Sequence, residues 1–191
     1  MHGRLLRIRL VNNWTSLCAK WQRGLRSLGR RVSLTKSCSE KKGWGGLANI
    51  LIDTTIVLDL LSFSRPAHHD AQRFLEESLD AGHGIFLSAS SLKDVYYILN
   101  KMYNDELWAR DDVNAVKNLF SVVELTEDII DTALASEEPD FEDGIIRATA
   151  EKIGAAAIVS RDEEAFKNGY IPCLTPQVAA QRFASKAASK A

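Results

Sequence analysis

From residue 49 onward the chain alternates short runs of strand-forming aliphatics with amphipathic stretches, and this alternation constrains its fold more than any other feature. The apolar runs are NILID, IFLSA, VVEL, AAAIVS and PCL, beginning at residues 49, 85, 122, 155 and 172. Between them the spacing predicts helices over 55–61 and 66–81, and one through LKDVYYILNKMY capped by Ser90 or Ser91. Further helices are predicted over 110–120 and 127–136, and one opened by Pro139 and Asp140 through DFEDGIIRATAEKIG. A last helix starts at Thr175 and Pro176, and a short one is predicted for EEAF after Asp162. Strands separated by helices make βαβ units with right-handed crossovers. The expected class is α/β, a three-layer α/β/α arrangement around a mostly parallel sheet of about five strands.

The opening run, NILIDTTIVLDLL, carries a charge at Asp53, where its strand should end. A helix N-cap is one explanation, because Asp accepts from free backbone N–H groups. The other is a ligand-binding carboxylate at the carboxyl edge of a sheet, where open α/β folds place their ligands. Three further acids occupy comparable places. Asp94 is predicted in the first turn of the helix leaving the second strand, Asp143 in the first turn of the helix before AAAIVS, and Asp162 just after that strand, in SRD. Each has a capping or helix-dipole explanation of its own. Together they converge on one edge, where their mutual repulsion is costly unless a cation compensates it. Oxygen donors without His or Cys suit Mg²⁺ or Mn²⁺. His68 and His69 read as surface residues, and Asp59, Asp70, Asp111, Asp112, Asp128 and Asp131 as solvated or capping acids.

Charge divides the chain at about residue 48. The first 48 residues hold eleven Lys/Arg against the single acid Glu40, leaving thirteen bases and twenty-four acids for the rest, a net −11. Residues 1–48 are read as a basic extension that the following domain does not need, disordered or not native to the protein. Within it Trp14, Leu17, Trp21, Leu25 and Leu28 fall on one face of a potential cationic helix. Such a helix would suit a membrane surface, nucleic acid or a mitochondrial presequence. Residues 49–183 form the expected domain and 184–191 a flexible tail. Cys18, Cys38 and Cys173 form neither a disulfide framework nor a zinc pattern, so a reducing cytoplasm is the default. No apolar run approaches the roughly 20 residues of a membrane span, so no membrane association is expected of the domain.

Residues 49–183 resemble a PIN domain, in particular the VapC-type toxin ribonucleases of bacterial toxin–antitoxin pairs. The resemblance is carried by NILIDTTIVLDLL, SASSLKDVYYIL, PDFEDGIIRATAEKIGAAAIVSRDEEAF and IPCLTP. It implies a parallel sheet flanked by helices and carboxylates that hold Mg²⁺, with Mn²⁺ as the alternative, for RNA cleavage. By motif, Asp53 is the family's first acid, Asp94 stands where Glu is usual, Asp143 lies in the D-F-E-D segment and Asp162 in [TS]-x-[DN]. All four are expected as catalytic metal ligands. Thr55 falls where Asn or Ser is common and Ser160 where Thr is, and both are expected to orient carboxylates or water. Asp94 is one methylene shorter than Glu, and Thr55 lacks the amide, yet neither departure removes a charge.

A Mg²⁺-dependent endoribonuclease acting as toxin follows, with RNA as substrate, a small cognate antitoxin as partner and a homodimer as assembly. The acidic domain does not itself attract RNA, so contacts must come from local bases. Arg147, Arg161, Lys93 and Lys167 are the candidates, each with a plain surface-charge reading beside it. A haloacid-dehalogenase-type phosphatase would need a second Asp at position 55, which is Thr. A phosphoacceptor receiver would need an early acidic pair and a late Lys after a strand, and neither is found. The remaining alternative is a catalytically silent PIN fold that binds protein or RNA.

Overall fold

The computed structural model describes residues 47–167 and 169–184, so the expectations for the basic extension and for the tail beyond residue 184 lie outside the described residues. The chain enters at β1 (Asn49–Ile52), followed by α1 (Thr54–Leu61), α2 (His68–Asp80), β2 (Gly84–Ser88), α3 (Ala89–Tyr103) and α4 (Glu106–Leu119). It continues through β3 (Ser121–Val123), α5 (Glu127–Leu134), α6 (Phe141–Lys152), β4 (Ala157–Val159), β5 (Cys173–Leu174) and α7 (Pro176–Phe183). The five strands form one all-parallel sheet in the order β3-β2-β1-β4-β5. The order reverses beside β1, which pairs with β2 on one side and β4 on the other.

Burial on both faces explains why the strands read as unbroken apolar runs. Leu51, Phe86 and Ile158 share a core with Ile146 and Ala150 of α6, which crosses β1, β2 and β4. The alternate residues Ile50, Ile52, Leu87 and Val159 are also fully buried, so the opposite face is covered as well. There α2 and α3 pack on β2, and α7 packs on α2 and β5. No helix among the described residues is long and apolar enough to cross a membrane.

Several boundaries differ from the expectation, each for a local reason. Ser88, not Ser90 or Ser91, caps α3 by accepting from Ser90 N, which moves Asp94 from the first helical turn into the second. The helix predicted over 110–120 begins at Glu106, because Asp105 accepts from both Leu107 N and Trp108 N. EEAF forms turns instead of a helix, tied down by Asp162 Oδ1 accepting from Ala165 N at 3.2 Å. Asp59 is completely buried, not solvated, and His68 is buried against Phe63 with its Nδ1 2.8 Å from the Asp59 carbonyl oxygen.

Gly144 sets the approach of α6 to α5. A Cβ there would lie 2.9 Å from Ser136 Oγ and 3.1 Å from the Ala133 carbonyl oxygen. The hydroxyl can turn away, but the carbonyl belongs to the backbone of α5. Gly144→Val is therefore expected to destabilise the domain by about 1–3 kcal/mol through overpacking, read as a lower midpoint in denaturant. An unchanged midpoint would show that the two helices separate at no cost.

Candidate functional site

Asp53 leaves β1 at the point where the strand order reverses, and its amide donates to Val159 O of β4 at 3.0 Å. Its backbone starts α1, with its carbonyl accepting from Ile56 N and Val57 N. Its side chain makes no capping bond. The carboxylate is instead held by two hydroxyls: Thr55 Oγ1 and Ser160 Oγ each donate to Oδ2 at 2.8 Å. Oδ1 has no hydrogen-bond partner among the described residues. The strand-end carboxylate is thus fixed through one oxygen and leaves the other open.

Ser160 links two of the predicted acids. It is fully buried at the end of β4, and its hydroxyl donates to Asp53 while accepting from Asp162 N at 3.0 Å. The loop after β4 is thereby fastened to the loop after β1. Asp143 arrives from the other face on the first turn of α6, whose N-cap Asp140 accepts from Asp143 N at 2.9 Å. Partial burial pushes the Asp143 carboxyl up to about 6, with further contributions from Asp140, Asp53, Asp162 and Glu138. Asp53 and Asp162 thus lie near enough to raise the Asp143 carboxyl across the edge.

Asp94 does not share that field in the same way. Its carboxylate lies 2.8 Å from Lys93 Nζ, and it is not among the charges that raise Asp143. Lys93 is held in its charged form by Asp94 first, and also by Glu142. The other candidate bases are engaged too. Arg147 pairs with Glu138 at 2.9 Å and with Glu151, Lys167 pairs with Glu164, and Arg161 pairs with the buried Asp59 at 3.0 Å.

Three neighbours were not assigned to the site from the sequence. Cys173 Sγ lies 3.9 Å from the Asp162 carbonyl oxygen, and its thiol is pushed up to about 12, by burial first and then by Glu163, Asp53 and Asp162. Asp140 and Glu138 complete the negative field, and the run EEPDFED was the signal for them.

The acids at the edge supply carboxylate oxygens, the donor type that hard divalent cations take, and the Asp143 carboxyl is raised by burial first and by neighbouring acids second. Among the described residues no three acidic, His or Cys side chains are drawn together around one point.

A family model described as PIN domain matches residues 50–170. No curated protein matches the chain. Solved structures of similar fold include Mycobacterium tuberculosis VapC20, described as a sarcin-ricin loop cleaving toxin (20% identity, 64% of this chain and 96% of that one, TM-score 0.51). Another is VapBC2 from Rickettsia felis, bound to a DNA fragment from its promoter (12% identity, 66% and 98%, TM-score 0.54). PAE2754 from Pyrobaculum aerophilum is a third (16% identity, 76% and 98%, TM-score 0.51). At these identities the likeness is one of fold.

Proposed function

The chain belongs to the PIN domain family, and from that premise we propose that it is a Mg²⁺-dependent endoribonuclease, the toxin of a toxin–antitoxin pair. The observation that carries this reading is the Asp53 carboxylate, pinned through Oδ2 by Thr55 and Ser160 with Oδ1 open. Asp53, Asp143 and Asp162 would hold the ion, and Asp94 would contribute from the second turn of α3. Mn²⁺ is the alternative ion.

Such an ion supplies Lewis acidity toward the phosphate and a water acidified for attack. The residues' own work is to place and charge the site. Thr55 and Ser160 keep Asp53 from rotating, and Ser160 also fixes the backbone that carries Asp162. Asp143 must shed its proton before it binds a cation, so affinity for metal should fall as pH drops below about 6.

The substrate is RNA, the partner a small antitoxin that covers the acidic edge, the assembly a homodimer and the compartment the cytoplasm. The toxin–antitoxin context of the VapBC2 structure supports the partner. The test is cleavage of structured RNA by the purified chain in Mg²⁺ and its arrest by EDTA. One observation favours a second reading: Asp94 is neutralised by Lys93, as a PIN fold that binds without cutting would allow. RNA bound but left intact in both Mg²⁺ and Mn²⁺ would select that reading.

A further inference from the structure

We propose that Arg65 and Arg161, gathered by the buried Asp59, form a clasp for a backbone phosphate of the RNA strand beside the carboxylate edge. The proposal rests on the ribonuclease reading above and adds to it a substrate site. Asp59 lies on α1, six residues after Asp53, and is completely buried. Arg65 Nε donates to its Oδ1 at 2.5 Å, and Arg161 Nε lies 3.0 Å from Oδ2, off the direction of a hydrogen bond. One anion therefore holds two cations, a local surplus of positive charge. At Arg147 the balance is reversed, with one cation between Glu138 and Glu151. Lys93 and Lys167 are each matched by one acid.

One arginine bound through both arms of its fork would already neutralise Asp59. Here Arg65 donates to Asp59 through Nε, and Arg161 approaches it with Nε without a hydrogen bond. The terminal nitrogens have no hydrogen-bond partner among the described residues, and the two side chains are 31% and 38% exposed. That leaves two planar donor forks toward solvent, the group that matches phosphate geometry. The Arg65 turn is fixed as well. Arg65 N donates to Ser62 O, His68 N donates to Arg65 O, and the buried His68 ring holds the Asp59 carbonyl. Arg161 stands between Ser160 and Asp162, so the clasp is continuous in the chain with the loop that carries the acids. A polyanion approaching the chain after residue 48, of net charge −11, needs such a foothold, and phosphate contacts position a strand without reading its sequence.

The test uses the full chain with Asp53→Asn to block cleavage, and a short fluorescein-labelled single-stranded RNA of mixed sequence. Binding is followed by anisotropy across a salt series. Arg65→Gln and Arg161→Gln should each weaken binding and make the plot of log affinity against log salt shallower by about 0.7, the share of one phosphate contact on a single strand. Arg65→Lys, which keeps the charge, should keep the slope and shows that any loss is not a folding defect. If both Gln variants bind with the parental slope while melting at lower temperature, Asp59 and its arginines are a structural clamp and the clasp is overturned, with the ribonuclease reading intact. If the parent binds no RNA at any salt, the clasp and the ribonuclease reading fall together.

Discussion

Asp53→Asn is expected to abolish Mg²⁺-dependent RNA cleavage while leaving the fold in place. The change is nearly isosteric, and the two hydroxyls on Oδ2 can rotate to suit an amide, each being donor or acceptor. Only the charge is lost. A ligand carboxylate at the reversal point of the sheet should matter more than the outer groups that orient it, whose removal typically costs about 10–100-fold. The loss in turnover should therefore exceed roughly 100-fold, with Ser160→Ala, which removes one of the two hydroxyls, falling within that smaller range. Turnover at wild-type rate in Asp53→Asn at equal metal, with an unchanged circular dichroism spectrum, would remove Asp53 from the site.

What was legible in the sequence was whatever is repeated or set by topology. The central strands β1, β2 and β4 were visible because aliphatic runs buried on both faces leave a continuous signal, and the edge strands β3 and β5 because short β-branched or apolar runs stand between helical stretches. Parallel strands share a carboxyl edge, so the order of elements alone put Asp53 and Asp162 after neighbouring strands, β1 and β4. The failures lie where one side chain competes with another. Ser88 outcompeted Ser90 and Ser91 as a cap and so carried Asp94 one turn farther along α3. Asp59 looks like any acid on a helix, and nothing in its neighbours along the chain announces Arg161, a hundred residues away, as one of its partners. Contacts of that separation are fixed by how layers pack, and periodicity carries no trace of them.

Thermal stability in EDTA and in Mg²⁺ should separate a metal site from a set of capping acids. The Asp143 carboxyl titrates near 6 when folded and near 3.8 in its ordinary state. Between those values the folded protein without metal keeps a proton that the unfolded chain has shed. Stability should therefore fall as pH rises from about 4 to 6 and return on acidification. The group is only partly buried, so solvent screening reduces the size of the effect. Asp143→Asn cannot ionise, so in EDTA at neutral pH it should melt above wild type and show a flatter profile across that window. A cation that binds only the folded, ionised site adds about 2.7 kcal/mol at a hundred times its dissociation constant. For a domain of this size that corresponds to a rise in melting temperature of roughly 5–10 °C. Wild type should show that rise and Asp143→Asn a smaller one, because it has lost a donor. Equal melting of wild type in EDTA and Mg²⁺, together with an Asn variant no more stable in EDTA, would mean that the acids at the sheet edge do not form one site.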